Sequence, residues 1–465
     1  MPTAPEPVAG HDRSAIGALI AVLLIPAALG SSGTIFNDGD VSWHIATGQW
    51  IIDHRAIPTT DPFSFTWAGK PWVPIEWLAE VLYGGAYRLA AYGGVAALVT
   101  AALMALHAVV YFNASRYLKL ALVPIVAMDF ALVPMALARP HLLAWPLVAL
   151  WTALMMRARD RDRAPPLAAA LLMIVWANLH GSFVIGLAIA ALFGLEALVT
   201  SKDRGRVVSE WGLFGLACAA AVLVNANGLA GVLHPFRIAN LAMLPLIEEW
   251  KPSSPSVTPF FFAVLALVAA LIAWKRPRLH PVRWLLLGGL LVLALLQVRH
   301  QAVLAIVAAL VLPAGFAAGE MRRHTHHKLM PVVDAGSALL LLVRSVMPLS
   351  PPDNEANPWK LIAAVPPALR SQPVLNGYSM GGPLILKGIR PYIDGRGDMY
   401  GDALVVGYAR ISHGDAKAFA EAVQRWNIRW AMVPGGDNGL TRLLASAPGW
   451  RLAYRDRVGA IYVRD

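Results

Sequence analysis

The sequence predicts a polytopic α-helical membrane protein carrying a small extracytoplasmic α/β domain at its C-terminus. Three observations predict it. Of 465 residues, 57% are hydrophobic and only 14% charged, whereas soluble domains carry about 25% charged residues. The mean hydropathy is +0.56, and the apolar residues gather into runs approaching the roughly 20 residues that a membrane-crossing helix needs. After Pro348 the pattern changes. A Pro-rich stretch, PLSPPDNEANPW, gives way to mixed helix and strand periodicity.

Eleven spans follow from the apolar runs, near 14–36, 92–113, 119–137, 142–157, 166–179, 183–200, 208–226, 258–274, 283–297, 302–318 and 329–349. The first lacks an A-x-A-like cleavage site at a sensible place, so it reads as a retained helix. Lys and Arg in the loops set the orientation. HDRS, ASRYLK, RARDRDRAPP, SKDRGR, KRPRLHPVR and EMRRHTHHK together hold 17 of them. The alternate set is 37–90, ARPH, NLHGS, 227–257 and VRHQ, with 7 over far more residues. The basic set is therefore cytoplasmic, with the N-terminus, and eleven spans put the C-terminus outside. The net charge of +11 is then mostly a topology signal, which argues against a nucleic-acid partner. Cys218, alone and inside an apolar run, excludes an intramolecular disulfide and reads as a small buried side chain. HTHH at 324–327 has no metal-site spacing and reads as a solvated loop.

Residues 1–349 thus form the transmembrane domain, with an external loop at 37–90, and 350–465 form the outer α/β domain. In the tail, AKAFAEAVQRWNI has the spacing of an amphipathic helix, and RWAMVP and GAIYVRD read as strands. GYSMG at 377–381 fits the G-x-S-x-G nucleophile elbow, and Asp394 and His413 follow in hydrolase order. The tail is small for the sheet that carries such an elbow, and no long helix clearly follows Ser379, so the segment reads as a glycine turn. RGD at 396–398 reads as a turn as well. Within 37–90, an amphipathic helix over about 42–54 is expected to lie along the outer surface.

The unusual polar residues sit on the outer side. They are Asp38, Asp40, Trp43 and His44; Arg139 and His141; Asn178 and His180; Asn225, Asn227, His234 and Arg237; Glu248, Glu249 and Lys251; and Arg299 and His300. Ionisable groups at helix ends are costly in a bilayer and tend to line a cavity or pathway. Taken singly, each has an ordinary reading: Arg139 before Pro140 can snorkel, His180 can be a satisfied interfacial histidine, and NANG is a good helix stop. Together they bring carboxylates, imidazoles and guanidinium groups to one face. A carboxylate there can take a proton from an acceptor hydroxyl, and arginines and histidines can hold a departing phosphate. The apolar surround suits a polyisoprenoid tail. These parts describe glycosyl transfer from a lipid-phosphate sugar. An adjacent Asp-Gly-Asp suits one base plus one orienter or metal ligand.

The stretch DGDVSWHIATGQWIIDHRAIPTTDPFSFTWAGKPWVPIEWLAEVLYGGAYRLAAYGG resembles the first external loop of the GT-C superfamily of integral-membrane glycosyltransferases. It is most like a bacterial polytopic group that opens on Asp-x-Asp-x-x-Trp-His. The likeness continues through ARPHLLAWP, WANLHGSFVIGL, NANGLAGVLHPF, IEEWKP, VRHQAVLAIVAAL and NGYSMGGPLILKGIRPYIDGRGDMYGD. The resemblance implies an essential acidic residue in this loop and a polyprenyl-phosphate-linked donor. Asp40 matches the acidic position; the Asp-Glu form of some relatives is absent because Val41 follows. The implied roles are Asp40 as base and Asp38 as its partner, with Asp38 and Asp40 also the candidate ligands of a divalent ion, Mg or Mn. Arg139, His141, His180, Arg237, Arg299, His300, His44 and Glu76 are the candidates for holding substrate or lipid phosphate. The expected setting is a bacterial inner membrane, with membrane lipids around the chain and a glycan, lipid or protein acceptor on the periplasmic face.

A transporter, or a non-catalytic component of polysaccharide assembly, is the alternative. It calls for ionisable groups deep in the membrane, and the sequence offers Asp129, Glu196, Glu210 and Asp334. Asp129 has no partner evident from sequence.

Overall fold

A computed structural model of the chain describes residues 16–317, 330–436 and 438–465. The HTHH tract and the start of the first predicted span lie outside the described residues. Helices overlap the described parts of the predicted apolar segments, though most are shorter than a full span. They begin with α1 (Ile16–Gly30), which contains a π-turn over Ile20–Leu24. The external segment adds α2 (Asp40–His54), and α3 (Trp77–Ala114) runs from it into the apolar body. Next come α4 (Leu122–Met135), α5 (Pro140–Asp160), α6 (Leu167–Leu179), α7 (Phe183–Thr200) and α8 (Arg204–Leu223). After the short α9 (Gly228–Ile238) follow α10 (Pro259–Lys275), α11 (Pro281–Leu296), α12 (Val298–Phe316) and α13 (Met330–Val346). Among the described residues five helices, α3, α5, α7, α8 and α12, are long and apolar enough to cross a membrane.

Local chemistry sets the helix ends that carry the polar residues. Arg139 is extended (φ −121°, ψ 161°) because Pro140 follows it, and the proline then opens α5 at its first position. This leaves the Arg139 side chain at the mouth of the helix. Helix α3 is broken at Ala90 and Ala91, where Ala91 has φ +48°. The part before the break falls within 37–90, the loop expected to be external, and the predicted span 92–113 is the part after it.

In the tail, α14 (Trp359–Ala364), α15 (Gly381–Leu386), α16 (Gly397–Ser412), α17 (Ala416–Trp426) and α18 (Gly439–Ser446) surround a four-stranded sheet. Its strands are β1 (Val374–Asn376), β2 (Trp430–Pro434), β3 (Trp450–Arg455) and β4 (Gly459–Arg464), in spatial order β1-β2-β4-β3. β1 and β2 are parallel; the other pairs are antiparallel.

The surface helix expected at 42–54 is instead wedged into the molecule. Val41 through Gly48, and Ile51, are buried. A Cβ on Gly48 would lie 1.8 Å from the Glu80 carbonyl oxygen, so the glycine is what lets α2 approach α3. The opposite side meets the tail. Trp43, Ala46, Trp72 and Met243 share a hydrophobic core with Leu375, Ile393, Tyr400 and Val433. Side chains with apolar neighbours on both faces of α2 leave it no lipid-facing stripe, which is why the amphipathic expectation fails.

Candidate active site

Asp38 and Asp40 stand at the start of α2, where Asp38 Oδ1 accepts the Asp40 backbone N–H at 2.9 Å. Arg139 reaches them from the mouth of α5. Its Nη1 donates to Asp38 Oδ2 at 3.2 Å and to Glu249 Oε2 at 3.0 Å, and its Nη2 lies 3.2 Å from Asp40 Oδ2. One guanidinium is thus surrounded by three carboxylates. Arg299 stands behind Glu249, with Nη1 4.0 Å from Glu249 Oε1 and the guanidinium 4.3 Å from the centre of the Trp250 ring. Asp40 is pressed against the tail, since a Cβ added to Gly395 would fall 1.7 Å from Asp40 Oδ1.

These groups line one cavity of about 890 Å³. His44, Glu76, His141, His180 and His300 line it too. His180 Nε2 is 3.5 Å from Glu76 Oε1, and His44 Nδ1 is 3.7 Å from Glu80 Oε1. His141 Nε2 donates to the Met135 carbonyl at 2.9 Å, and its ring centre is 6.5 Å from that of His180. Leu137, Val148, Val184, Leu293 and Val303 form an apolar part of the wall. Arg237 stands apart from its predicted companions: it is exposed and is not in the cavity wall. Its neighbours Phe236 and Ile238 line the cavity instead. Pro235, Ile238 and Ala239, spaced three and four apart, turn one side to the cavity, and Arg237 lies on the opposite side.

The electrostatics separate the carboxylates. Burial, then the negative charge of Asp38, pushes the Asp40 carboxyl up to about 7 against the pull of Arg139. Burial also works to raise Glu249, but Arg139 and then Arg299 overcome it and hold that carboxyl at about 2. Glu76 is pushed up to about 8, chiefly by burial. His44 and His180 are shifted well below the usual imidazole range, first by burial and then by the nearby arginines Arg139 and Arg299 respectively. His44 and His180 are accordingly neutral at physiological pH.

The tail supplies part of the wall, which the sequence did not suggest. Tyr378, Gly395, Arg396 and Asp398 line the cavity. Arg396 is buried between two carboxylates, with Nη1 2.7 Å from Asp61 Oδ1 and Nη2 2.7 Å from Asp394 Oδ2. Tyr400 also donates to Asp394, at 2.6 Å. His234 Nε2 lies 2.9 Å from Asp398 Oδ2 and so joins α9 to α16. RGD at 396–398 is therefore not the expected turn: it opens α16, with Arg396 as the residue before the helix, and forms part of the cavity wall. The elbow-like GYSMG has no relay behind it: Asp394 serves Arg396, His413 Nδ1 donates to the Ala409 carbonyl at 2.6 Å, and Ser379 Oγ points to the Glu355 carbonyl at 3.4 Å. Instead the turn abuts α2, because a Cβ on Gly39 would lie 1.9 Å from the Ser379 carbonyl oxygen.

Asp129 acquires a partner that sequence could not name. His107 Nε2 lies 3.0 Å from its Oδ1, and His107 Nδ1 bonds the Leu103 carbonyl at 2.7 Å. Glu196 is met by Arg283 at 2.8 Å and by Arg159 at 3.5 Å, and Asp334 is exposed.

A divalent ion at Asp38 and Asp40 needs their oxygens turned onto a common point. Here those oxygens are turned onto Arg139, and among the described residues no group of three or more His, Cys, Asp or Glu side chains is arranged to hold a metal. The acidic pair as placed does not fit a metal ion.

The architecture joins an apolar helical body, an acidic segment at 37–90 and a smaller α/β unit. The chain is similar in fold to the crystal structure of the oligosaccharyltransferase of Archaeoglobus fulgidus in the apo form, with a TM-score of 0.52 and 11% identity, over 91% of this chain and 69% of that one. No family model matches the chain, and no curated protein matches it.

Proposed function

We propose that the protein is an inverting glycosyltransferase that takes a sugar from a polyprenyl-phosphate donor and passes it to an acceptor on the periplasmic face of a bacterial inner membrane, in assembly or modification of a surface glycan. One observation carries this reading. Asp40, whose carboxyl burial pushes up to about 7, sits beside cationic groups in a cavity whose wall is otherwise largely apolar. The volume of about 890 Å³ is at the upper end of the range usual for ligand sites, about 300–1,000 Å³. A general base is most effective when its pKa lies near the working pH.

In the reaction, the acceptor hydroxyl gives its proton to Asp40 as its oxygen bonds to the anomeric carbon. The bond from that carbon to the phosphate oxygen breaks, and the polyprenyl phosphate leaves with the electron pair. Attack opposite the leaving group inverts the anomeric centre. Arg139 is committed to three carboxylates, so its part is to orient Asp40. Arg299, held on Trp250 with only a long approach to Glu249, is the cation best placed to receive the phosphate. His300 lies next to it in the wall. The acceptor is a glycan, lipid or protein group reaching the site from the side of the tail.

The test is Asp40→Asn, assayed for sugar transfer from radiolabelled polyprenyl-phosphate sugars in membranes. The expected result is loss of transfer at normal expression. Full transfer by this variant would sink the role given to Asp40.

A further inference from the structure

We propose that Arg139 is a built-in counter-cation: its guanidinium holds the place between Asp38 and Asp40 that a divalent ion would need, so that the acidic pair is organised without bound metal. Three oxygens from three separate carboxylates, Asp38 Oδ2, Asp40 Oδ2 and Glu249 Oε2, lie within 3.0–3.2 Å of the two terminal nitrogens of Arg139. A divalent ion binds carboxylate oxygens at about 2.0–2.6 Å, so it would have to occupy the space the guanidinium fills.

The other oxygens of the three groups are also engaged. Asp38 Oδ1 accepts the Asp40 N–H, Glu249 Oε1 faces Arg299, and Asp40 Oδ1 rests against Gly395. Nor is Arg139 a loose side chain that could swing aside. Pro140 fixes the backbone behind it, and its carbonyl accepts the Tyr83 hydroxyl at 2.9 Å. A planar fork of donors suits several carboxylates at once, whereas lysine presents a single point charge. The arrangement therefore gives Asp38 and Asp40 a permanent cation of fixed geometry.

The inference rests on the placement of the carboxylates, and its readout is independent of sugar transfer. Purified full-length protein in detergent is titrated with Mn2+ and followed by electron paramagnetic resonance. The wild type is expected to bind no stoichiometric Mn2+ at this site. Arg139→Met, folded as judged by monodispersity, is expected to gain one Mn2+ per chain, and adding Asp40→Asn should abolish that gain. Stoichiometric Mn2+ on the wild type that is lost in Asp38→Asn or Asp40→Asn would overturn the proposal, and so would a folded Arg139→Met that gains none. Should Arg139→Met fail to fold, the comparison of wild type with the two aspartate variants decides alone.

Discussion

Three carboxylates around one guanidinium leave a surplus of negative charge, and the surplus does not spread evenly. Glu249 has a second cation in Arg299 and falls to about 2, while Asp40, buried and beside Asp38, rises to about 7. Divergent values within one cluster are a common way for a site to assign acid and base roles. The sign is set by the raised value. Below about 7 the Asp40 carboxyl is protonated and cannot accept a proton; above it the carboxylate is present. Transfer should accordingly rise with pH through the neutral range and then level off. Asp38→Asn removes the largest charge that raises Asp40, so in that variant the rise should move to lower pH. Initial rates measured across the neutral range in both proteins check this, and an unshifted profile would remove Asp38 from the account. The two aspartates and Arg139 were legible in the sequence, since each adjoins a helix mouth. That Arg139 serves Glu249, 110 residues away, was not, because spacing carries no information about partners brought together by separate helices.

At the level of the elements, the apolar runs located the helices because a membrane-facing helix must satisfy its backbone internally and show side chains that tolerate lipid. In the tail, α17 was legible because its periodicity mirrors burial on one face, and β2 and β4 as short apolar runs buried on both faces; β1 and β3 were not read from the sequence. What the runs missed is the break in α3. Ala91 adopts φ +48°, ψ −139°, a region that costs a residue with a Cβ about 1–3 kcal/mol. Nothing in YRLAAYGG announces that the chain turns at an alanine with two glycines close by. The break lets the first part of α3 carry Glu76 and Glu80 into the site while the second part enters the apolar body. Ala91→Gly should relieve the strain. We expect a gain on the order of 1 kcal/mol, read as a rise of a few degrees in the unfolding temperature of the solubilised protein. A fall would mean that Ala91 contributes packing that outweighs its backbone cost. The expected surface helix, α2, shows the converse error. Its polar and apolar residues suggested an interface with lipid, but Asp40, Trp43 and His44 face the cavity, Ser42 and Thr47 are buried, and Asp53 and His54 at its end are exposed.

The whole molecule is tied together across its site, and the tie is charged. Arg396 of the tail is buried with Asp61 of the external segment and Asp394 of the tail, under the rings of Phe63 and Trp72. Arg390 adds a bond to the Ser64 carbonyl at 2.8 Å, and Thr66 Oγ1 donates to the Tyr392 carbonyl at 2.6 Å. The tail is thereby held where Gly395 meets Asp40, so the base owes its position to residues more than three hundred places away. A composition shift at Pro348 marks a boundary but says nothing of this embrace. Removing one member of a buried ion pair leaves the others uncompensated, at a cost of about 3–5 kcal/mol. Arg396→Ala strands two buried carboxylates at once, whereas Asp61→Asn strands neither, since Arg396 retains Asp394. The segment 37–90 carries an exposed trypsin site at Arg55, before Ala56, and cleavage there reports on whether the tail still clamps it. We expect Arg396→Ala to be cut there far faster than the wild type and to lose transfer, with Asp61→Asn intermediate in both. If Arg396→Ala resists cleavage as the wild type does, the buried ion pairs are not what seats the tail, and the apolar core of Trp43, Trp72, Ile393 and Tyr400 must hold it alone.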